Sequence, residues 1–333
     1  KRGKRQRTAA ASTEEEGRWI DAEDVTGEEK SIPEDVDLVE METLDDWRDA
    51  LWGLGGTATM SSVVPQHFDV LVLDLASMTG NDLELKTLSV AQEFMDHHRR
   101  IGRYDSETPS FPQRLPHTVI IKSTSITNLS RRLYHAQRVT DGVSTLSPPH
   151  KLTRTHFPTI VATVGVDEYR KMIPLTVRPG DEVAEVGCHV GTSTVKLHEA
   201  AAADGAEGFC IGFDIGPSIV DIAKRQYPHV PFAVGDAWRT AQLISMKGKI
   251  DADYASSDVL GYDVIYVDVG GLSGVNGLIE ALALLGALGN ACEPRCMVIK
   301  SECVKSLAGR LQPFSKIWST EQELKSISKG EMM

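Results

Sequence analysis

The chain has 333 residues, of which 41% are hydrophobic, and it carries a formal net charge of −12. A chain of this length and apolar content can bury a sizeable core in one large or two modest domains. No apolar run approaches the roughly 18 residues that a membrane helix needs, so the sequence predicts a soluble protein with no membrane partner. The acidic balance argues against a surface that coats nucleic acid generally, but it does not exclude a local basic groove.

The five cysteines are scattered along the chain, at positions 188, 210, 292, 296 and 303. They form no CxxC pair and no Cys/His spacing typical of a metal site, so no metal is expected. An odd, scattered set is typical of reduced thiols, which predicts an intracellular, reducing compartment. The sequence does not distinguish the nucleus from an organelle, and it does not indicate an oligomeric state.

The first 40 residues open on the basic run KRGKRQR and continue with an acidic stretch that is poor in aliphatic residues. The basic run fits a nuclear address, a nucleic-acid-binding arm, the residue of a processed leader or a plain solvated tail. High charge with few aliphatic residues predicts that residues 1–40 form a disordered, acidic tail.

Residues 41–145 contain a partial copy of a unit found again near the end of the chain. Two pairs of segments match, 67–82 with 261–276 and 117–133 with 296–311. The match pairs Asp74 with Asp268 and Lys122 with Lys300, and it predicts an internal βαβ repeat. Chance similarity between apolar strands is the alternative. Too little chain precedes the copy to hold a cofactor loop, so we expect it to extend the sheet, form a lid or hold substrate.

Residues 146–165 are predicted to be a linker, and their basic side chains between His150 and His156 offer an RNA contact or are simply solvated. Strands are then predicted at 182–187, 208–214, 230–238, 262–271 and 295–302, and helices at 193–203, 217–227 and 277–288. Each strand is apolar throughout. The pattern therefore predicts that residues 166–333 form an α/β domain with a Rossmann-like, mostly parallel sheet and helices on both faces.

The first strand turns into the first helix through G-C-H-V-G, residues 187–191. Glycines permit unusual backbone angles and let a ligand lie against the main chain. Asp214, at the end of the second strand, is placed to accept both hydroxyls of a ribose, and Asp236, after the third, to meet an adenine amino group. A nicotinamide dinucleotide is the alternative ligand, but this loop lacks the third glycine of that fingerprint.

These motifs together resemble a class I S-adenosylmethionine-dependent methyltransferase over residues 178 to about 312. EVGCHVGTS resembles the family's first glycine motif, GFDIG its ribose motif, VGDAW its adenine motif and YDVIYVDVGG its fourth-strand motif. YDVIYVDV and VIKSECVKSL are most similar to the fibrillarin-like RNA methyltransferase group, whose fourth and fifth strands end on Asp and Lys.

The resemblance implies S-adenosyl-L-methionine as the cofactor. The residues implied to bind it are Glu185, Gly187, Cys188, His189, Gly191, Thr192, Ser193, Asp214, Ile215, Gly235, Asp236, Ala237 and Asp268. Tyr169 and Arg170, which precede the first strand, are expected either to cap the carboxylate of this donor or to lie on a helix surface.

The resemblance also implies a methyltransferase (EC 2.1.1.-) with Asp268 and Lys300 as catalytic residues. Lys300 would orient an acceptor hydroxyl and Asp268 would accept or relay its proton. Alternatively, Asp268 contacts only the donor's amino group and Lys300 is a solvated or ion-paired residue. The N-terminal copy has Lys122 at the position of Lys300 although it has no donor site, which favours a structural role for Lys300.

Two motifs that would indicate other acceptors are missing. The fourth strand is followed by DVGG, and neither a Pro-Pro-aromatic turn nor a Pro-Cys nucleophile is present there. This favours an oxygen acceptor, and an RNA ribose 2′-hydroxyl is the first expectation. A small-molecule or protein methyltransferase, or a donor-binding assembly factor without turnover, is the alternative.

Overall fold

The structure is a computed structural model that describes residues 70–73, 87–92, 118–141, 158–250, 261–274 and 277–313. All of them belong to one of the two compact units of the chain, residues 67–333. The predicted tail, the basic part of the predicted linker and Asp74 lie outside the described residues. Within these ranges no helix is long and apolar enough to cross a bilayer.

Strands and helices alternate along the described chain. The strands are β1 (Val70–Leu73), β2 (Thr118–Ile121), β3 (Leu133–His135), β4 (Thr159–Thr163), β5 (Glu182–Val186), β6 (Phe209–Asp214), β7 (Phe232–Val234), β8 (Val264–Val267) and β9 (Cys296–Lys300). The helices are α1 (Thr124–Arg132), α2 (Ala136–Thr140), α3 (Gly165–Lys171), α4 (Ile173–Thr176), α5 (Thr192–Ala201), α6 (Pro217–Gln226), α7 (Thr240–Ile250), α8 (Leu278–Cys292) and α9 (Glu302–Arg310). Residues 87–92 are also helical.

Seven strands form one sheet in the order β3-β4-β9-β8-β5-β6-β7, and every neighbouring pair is parallel. β1 and β2 form a separate two-stranded parallel sheet. All residues of the central strands β5 and β8 are buried. This explains the unbroken apolar sequence VIYV of β8, whereas β5, EVAEV, also buries Glu182 and Glu185. The predicted Rossmann-like α/β fold is therefore confirmed.

Helices cover both faces of the large sheet. Successive residues of a strand point to opposite faces, so neighbouring residues of one strand pack against different helices. On β8, Ile265 and Val267 belong to a core cluster with residues of α1, α7, α8 and α9. Val264 and Tyr266 belong to the opposite cluster, with residues of α2, α3, α4 and α5. Two of the predicted strands are shorter than expected, since β7 ends at Val234 and β8 at Val267.

The expectation that residues 146–165 form a linker is wrong for residues 159–163. These residues are β4, which lies between β3 and β9 in the sheet, and Ile160, Val161 and Ala162 are fully buried. The segment TIVAT is a short apolar run rich in β-branched residues, which is a strand signal in its own right. β3, which lies within residues 41–145, forms the edge of the same sheet.

β1 and β2 repeat the local structure of β8 and β9. Val70 lies opposite Thr118, just as Val264 lies opposite Cys296, and the sequence match pairs these same positions. A serine then caps the helix after each second strand, Ser123 before α1 and Ser301 before α9. The described parts of the two matching segments therefore share both strand register and helix capping.

Candidate functional site

The predicted site residues meet at one edge of the sheet, since the carboxyl ends of neighbouring parallel strands lie side by side. Glu185 is the penultimate residue of β5, Asp214 ends β6 and Lys300 ends β9. Asp268 directly follows β8, and Asp236 lies two residues beyond β7. This edge is the candidate site.

Asp214 fastens the glycine loop to the end of β6. The amides of Gly187 and Cys188 donate to the Phe213 carbonyl at 2.8 and 2.9 Å. The His189 amide donates to Asp214 Oδ2 at 3.0 Å, and the Gly216 amide donates to Asp214 Oδ1 at 2.9 Å. Each carboxylate oxygen can accept more than one hydrogen bond, so Asp214 can still receive the two hydroxyls of a ribose.

The two loop glycines are required by the packing of the protein itself. Gly187 has φ +83°, and a Cβ there would lie 2.7 Å from the carbonyl carbon of Asp268 and closer still to its oxygen. Gly191 has φ +84°, and its Cβ would lie 2.5 Å from Cζ of Phe232. The sequence suggested that these glycines make room for a ligand. The structure adds a second reason, because side chains at these positions would clash with Asp268 after β8 and with Phe232 of β7.

The side chains of the loop differ in what they offer a ligand. Cys188 is buried, and burial raises the pKa of its thiol. His189 is exposed with φ 49°, an uncommon left-handed conformation for a residue with a side chain. Thr192 and Ser193 open α5 and are partly buried. The loop thus presents main chain, short hydroxyls and one exposed imidazole.

Glu185 is buried near the end of β5, where it is only 2% exposed. Thr194 Oγ1 donates to Glu185 Oε2 at 2.5 Å. Burial, reinforced by the carboxylate of Asp268, raises the pKa of Glu185 to about 8, against the opposing effect of Thr194. Glu185 is therefore a buried residue of the strand that leads into the glycine loop, and its contact with a donor stays a prediction.

Tyr169 and Arg170 have different surroundings, although both belong to α3. Tyr169 is fully buried and packs its ring edge-on against Tyr266, with the ring centroids 5.0 Å apart. It therefore neither caps a donor nor lies on a helix surface. Arg170 Nε donates to Ser193 Oγ at 3.0 Å, which brings a guanidinium to the first turn of α5.

Two exposed apolar side chains flank the acidic residues of β6 and β7. Ile215, directly after Asp214, is 72% exposed, and Trp238, two residues after Asp236, is 49% exposed. The Trp238 amide donates to Asp236 Oδ1 at 3.0 Å, which fixes the turn between them. Gly235 and Ala237 are buried in this turn. Sequence reasoning missed Trp238, although an aromatic residue two positions beyond a strand-end acid was a usable signal.

Asp268 and Lys300 form an ion pair at the ends of β8 and β9. Their side chains are 25% and 19% exposed, so both remain within reach of a bound molecule. Gly270 and Gly271 are exposed beside them, and a Cβ on either would meet nothing within 4 Å. The arrangement combines a fixed carboxylate and a fixed ammonium with open space above the strand ends.

Over the described part of the chain, no group of three or more His, Cys, Asp or Glu side chains is arranged to hold a metal ion. The site offers instead carboxylates, the short hydroxyl side chains of Thr192 and Ser193, and two apolar side chains. Such a set can bind a nucleoside through its sugar and base.

The chain matches no known protein-family model, and no curated protein matches it. Among solved structures it is similar to a TehB-like SAM-dependent methyltransferase from Corynebacterium glutamicum, with 16% identity, 43% of this chain and 71% of that chain covered, and a TM-score of 0.29. It is also similar to fibrillarin from Aeropyrum pernix, solved with natively bound S-adenosyl-L-methionine. There the identity is 19%, the coverage 30% of this chain and 38% of that chain, and the TM-score 0.23. A sugar N-methyltransferase from Streptoalloteichus shares 16% identity over 40% of this chain and 46% of its own, with a TM-score of 0.26.

The chain spans less than half of the length of the last two structures. These similarities concern the fold alone.

Proposed function

We propose that the protein is an S-adenosylmethionine-dependent methyltransferase whose donor lies across the carboxyl ends of β5, β6 and β7. One observation carries the proposal: the glycine loop, Asp214 and Asp236 occupy successive strand ends, with exposed Ile215 and Trp238 beside the two acids. An adenosyl group needs acceptors for its sugar and amino group and an apolar wall for its base. The residues present fit those needs.

Each part of the donor is assigned to residues near it. Asp214 receives the ribose hydroxyls and Asp236 the adenine amino group, with the base between Ile215 and Trp238. Arg170, held against Ser193, lies where an arginine can pair with the donor carboxylate. The other loop residues contribute mainly through their main chain.

The donor supplies a methyl group already activated on a sulfonium, so the protein mainly has to position the acceptor. Asp268 accepts a hydrogen bond from the acceptor hydroxyl and takes its proton at a carboxylate oxygen. Lys300 holds the Asp268 carboxylate in place through their ion pair and steadies negative charge that develops on the hydroxyl oxygen.

We propose an RNA ribose 2′-hydroxyl as the acceptor. The acid–lysine pair on the fourth and fifth strands of the predicted domain suits a hydroxyl, which gives up a proton on methylation. The glycines after Asp268 leave room for a sugar but provide no aromatic surface for a flat base. Within this proposal β3 extends the large sheet, whereas the strands of the N-terminal copy, β1 and β2, form a sheet of their own. All five cysteines are buried thiols outside any disulfide, in keeping with a reducing, intracellular compartment.

Donor binding is tested by calorimetry on Asp214→Asn, with Asp221→Asn on the exposed face of α6 as the matched control. Hydrogen bonds to a charged group contribute about 1.5–3 kcal/mol, so Asp214→Asn should lose roughly 10- to 150-fold in donor affinity. Asp221→Asn should bind like wild type. Equal affinities for all three proteins would remove the site assignment.

The acceptor is tested by transfer from methyl-labelled donor into RNA, protein and metabolite fractions of a cell extract. Label in 2′-O-methyl nucleosides after RNA digestion supports the proposal. Label in the other fractions favours a small-molecule or protein methyltransferase, and donor binding without incorporation favours an assembly factor. Lys300→Ala should reduce transfer by roughly 10²- to 10⁴-fold with donor affinity kept, whereas Lys305→Ala, one turn along α9, should not.

A further inference from the structure

Glu185 is a carboxyl group sealed beneath the proposed donor loop. It lies two residues before Gly187, its side chain is 2% exposed, and its hydrogen bond comes from Thr194 in the first turn of α5. The proposed mechanism does not use it. A carboxylate without a full set of partners is costly to bury, so such a group usually keeps its proton or has a nearby cation.

Titratable and charged groups face Glu185 from every element packed around it. They are Tyr169 and Arg170 on α3, Cys188 in the loop, Cys210 on β6, Tyr266 on β8 and Asp268 after β8. The buried Tyr169 hydroxyl lies close enough to lower the pKa of Glu185, although it makes no hydrogen bond of standard geometry. Arg170 is the one cation of this set, and its Nε is directed to Ser193.

The balance of these effects favours the protonated form of Glu185 at neutral pH. Burial and Asp268 raise its pKa to about 8. An opposite charge brought within about 4–6 Å typically moves a carboxyl pKa down by 1–3 units. The proposed donor carries one net positive charge on its sulfonium, and the loop proposed to hold it begins two residues after Glu185.

We propose that Glu185 is the proton-exchanging counter-charge of the donor site: it is protonated without donor and releases that proton to solvent when the sulfonium cation binds. This inference rests on the proposed function. Binding exchanges one proton for one cation, so no net charge is added to the buried site. Methyl transfer turns the sulfonium into a neutral thioether, after which Glu185 takes a proton back. The carboxylate therefore favours the donor over the demethylated product.

The test is calorimetry at pH 7 in several buffers that differ in ionisation enthalpy, with S-adenosylmethionine and S-adenosylhomocysteine as probes. A pKa of about 8 that falls by about two units implies release of roughly 0.8 proton per S-adenosylmethionine bound. S-adenosylhomocysteine should release much less. Glu185→Gln should still bind the donor but release no proton through this group, while Glu199→Gln, on the exposed face of α5, should match wild type.

Each outcome has a distinct meaning. No binding heat in wild type sinks the proposed function, whereas binding without buffer dependence, or equal proton release by Glu185→Gln, overturns this inference alone. Should Glu185→Gln fail to fold, infrared difference spectroscopy on the wild-type protein decides the point. The band of a protonated carboxylic acid should disappear on adding S-adenosylmethionine and largely persist with S-adenosylhomocysteine, and an unchanged band would contradict the inference.

Discussion

Gly187→Ala is expected to damage the protein through a clash with its own backbone. The added Cβ would lie 2.7 Å from the Asp268 carbonyl carbon and 3.2 Å from the Val269 amide nitrogen. Both are main-chain atoms, so the strain cannot be relieved by rotating a side chain. A left-handed φ costs a non-glycine residue about 1–2 kcal/mol, and overpacking typically adds about 1–3 kcal/mol. We therefore expect a loss of about 2–5 kcal/mol in unfolding free energy.

Gly180→Ala is the matched control, because Gly180 has a similar φ of +89° but a Cβ there would meet nothing within 4 Å. It should cost only the backbone share, about 1–2 kcal/mol. Urea denaturation of both variants measures the difference, and donor calorimetry should show weakened binding for Gly187→Ala alone, since the clash displaces Asp268. Equal losses of stability in the two variants would refute the reasoning that β8 sets the identity of residue 187.

Arg295→Met should lower the free energy of unfolding by about 3–5 kcal/mol, measured by urea denaturation. The substitution leaves buried Asp181 without the guanidinium that donates to both of its carboxylate oxygens, at 2.8 and 2.5 Å. A loss under about 1 kcal/mol would contradict this expectation. Glu185 binds a proton more tightly in the folded state, with a pKa of about 8 against 4.5 unfolded. The free energy of unfolding of the wild-type protein should therefore fall between pH 5 and pH 8 by on the order of 3 kcal/mol more than that of Glu185→Gln. Parallel plots of unfolding free energy against pH for the two proteins would contradict this expectation. Ser301→Ala removes the N-cap hydroxyl that accepts a hydrogen bond from the Val304 amide of α9. It should lower the free energy of unfolding by about 1 kcal/mol, measured by thermal denaturation. An unchanged unfolding free energy would mean that this cap does not stabilise the helix.

Several elements were readable from the sequence because their signals are local. Apolar runs identified β6, β8 and β9, since both faces of a parallel sheet are covered, and the alternating segment EVAEVG identified β5. Pro217 marked the start of α6, where its fixed φ suits the first turn. The alignment of strand-end acids along one edge followed from the parallel order itself. Thus the expected residues Asp214, Asp236 and Asp268 do share one edge.

Other features depended on which parts of the chain become neighbours. β4 follows a proline-rich stretch, and although its sequence signals a strand, its place between β3 and β9 in the main sheet depends on tertiary pairing. Tyr169 reads as a possible ligand contact, and only its packing against Tyr266 places it in the core. These are long-range contacts, which periodicity over a few residues does not specify.

The sequence by itself determined the alternation of strands and helices and the glycine bend after β5, because these depend on local apolar runs and backbone angles. The tertiary structure decided what surrounds the bend. It places the Asp268 carbonyl against Gly187 and seals Glu185 beneath the loop. The physical reason is that burial and electrostatics are set by atoms distant in sequence, which meet only when the sheet has assembled.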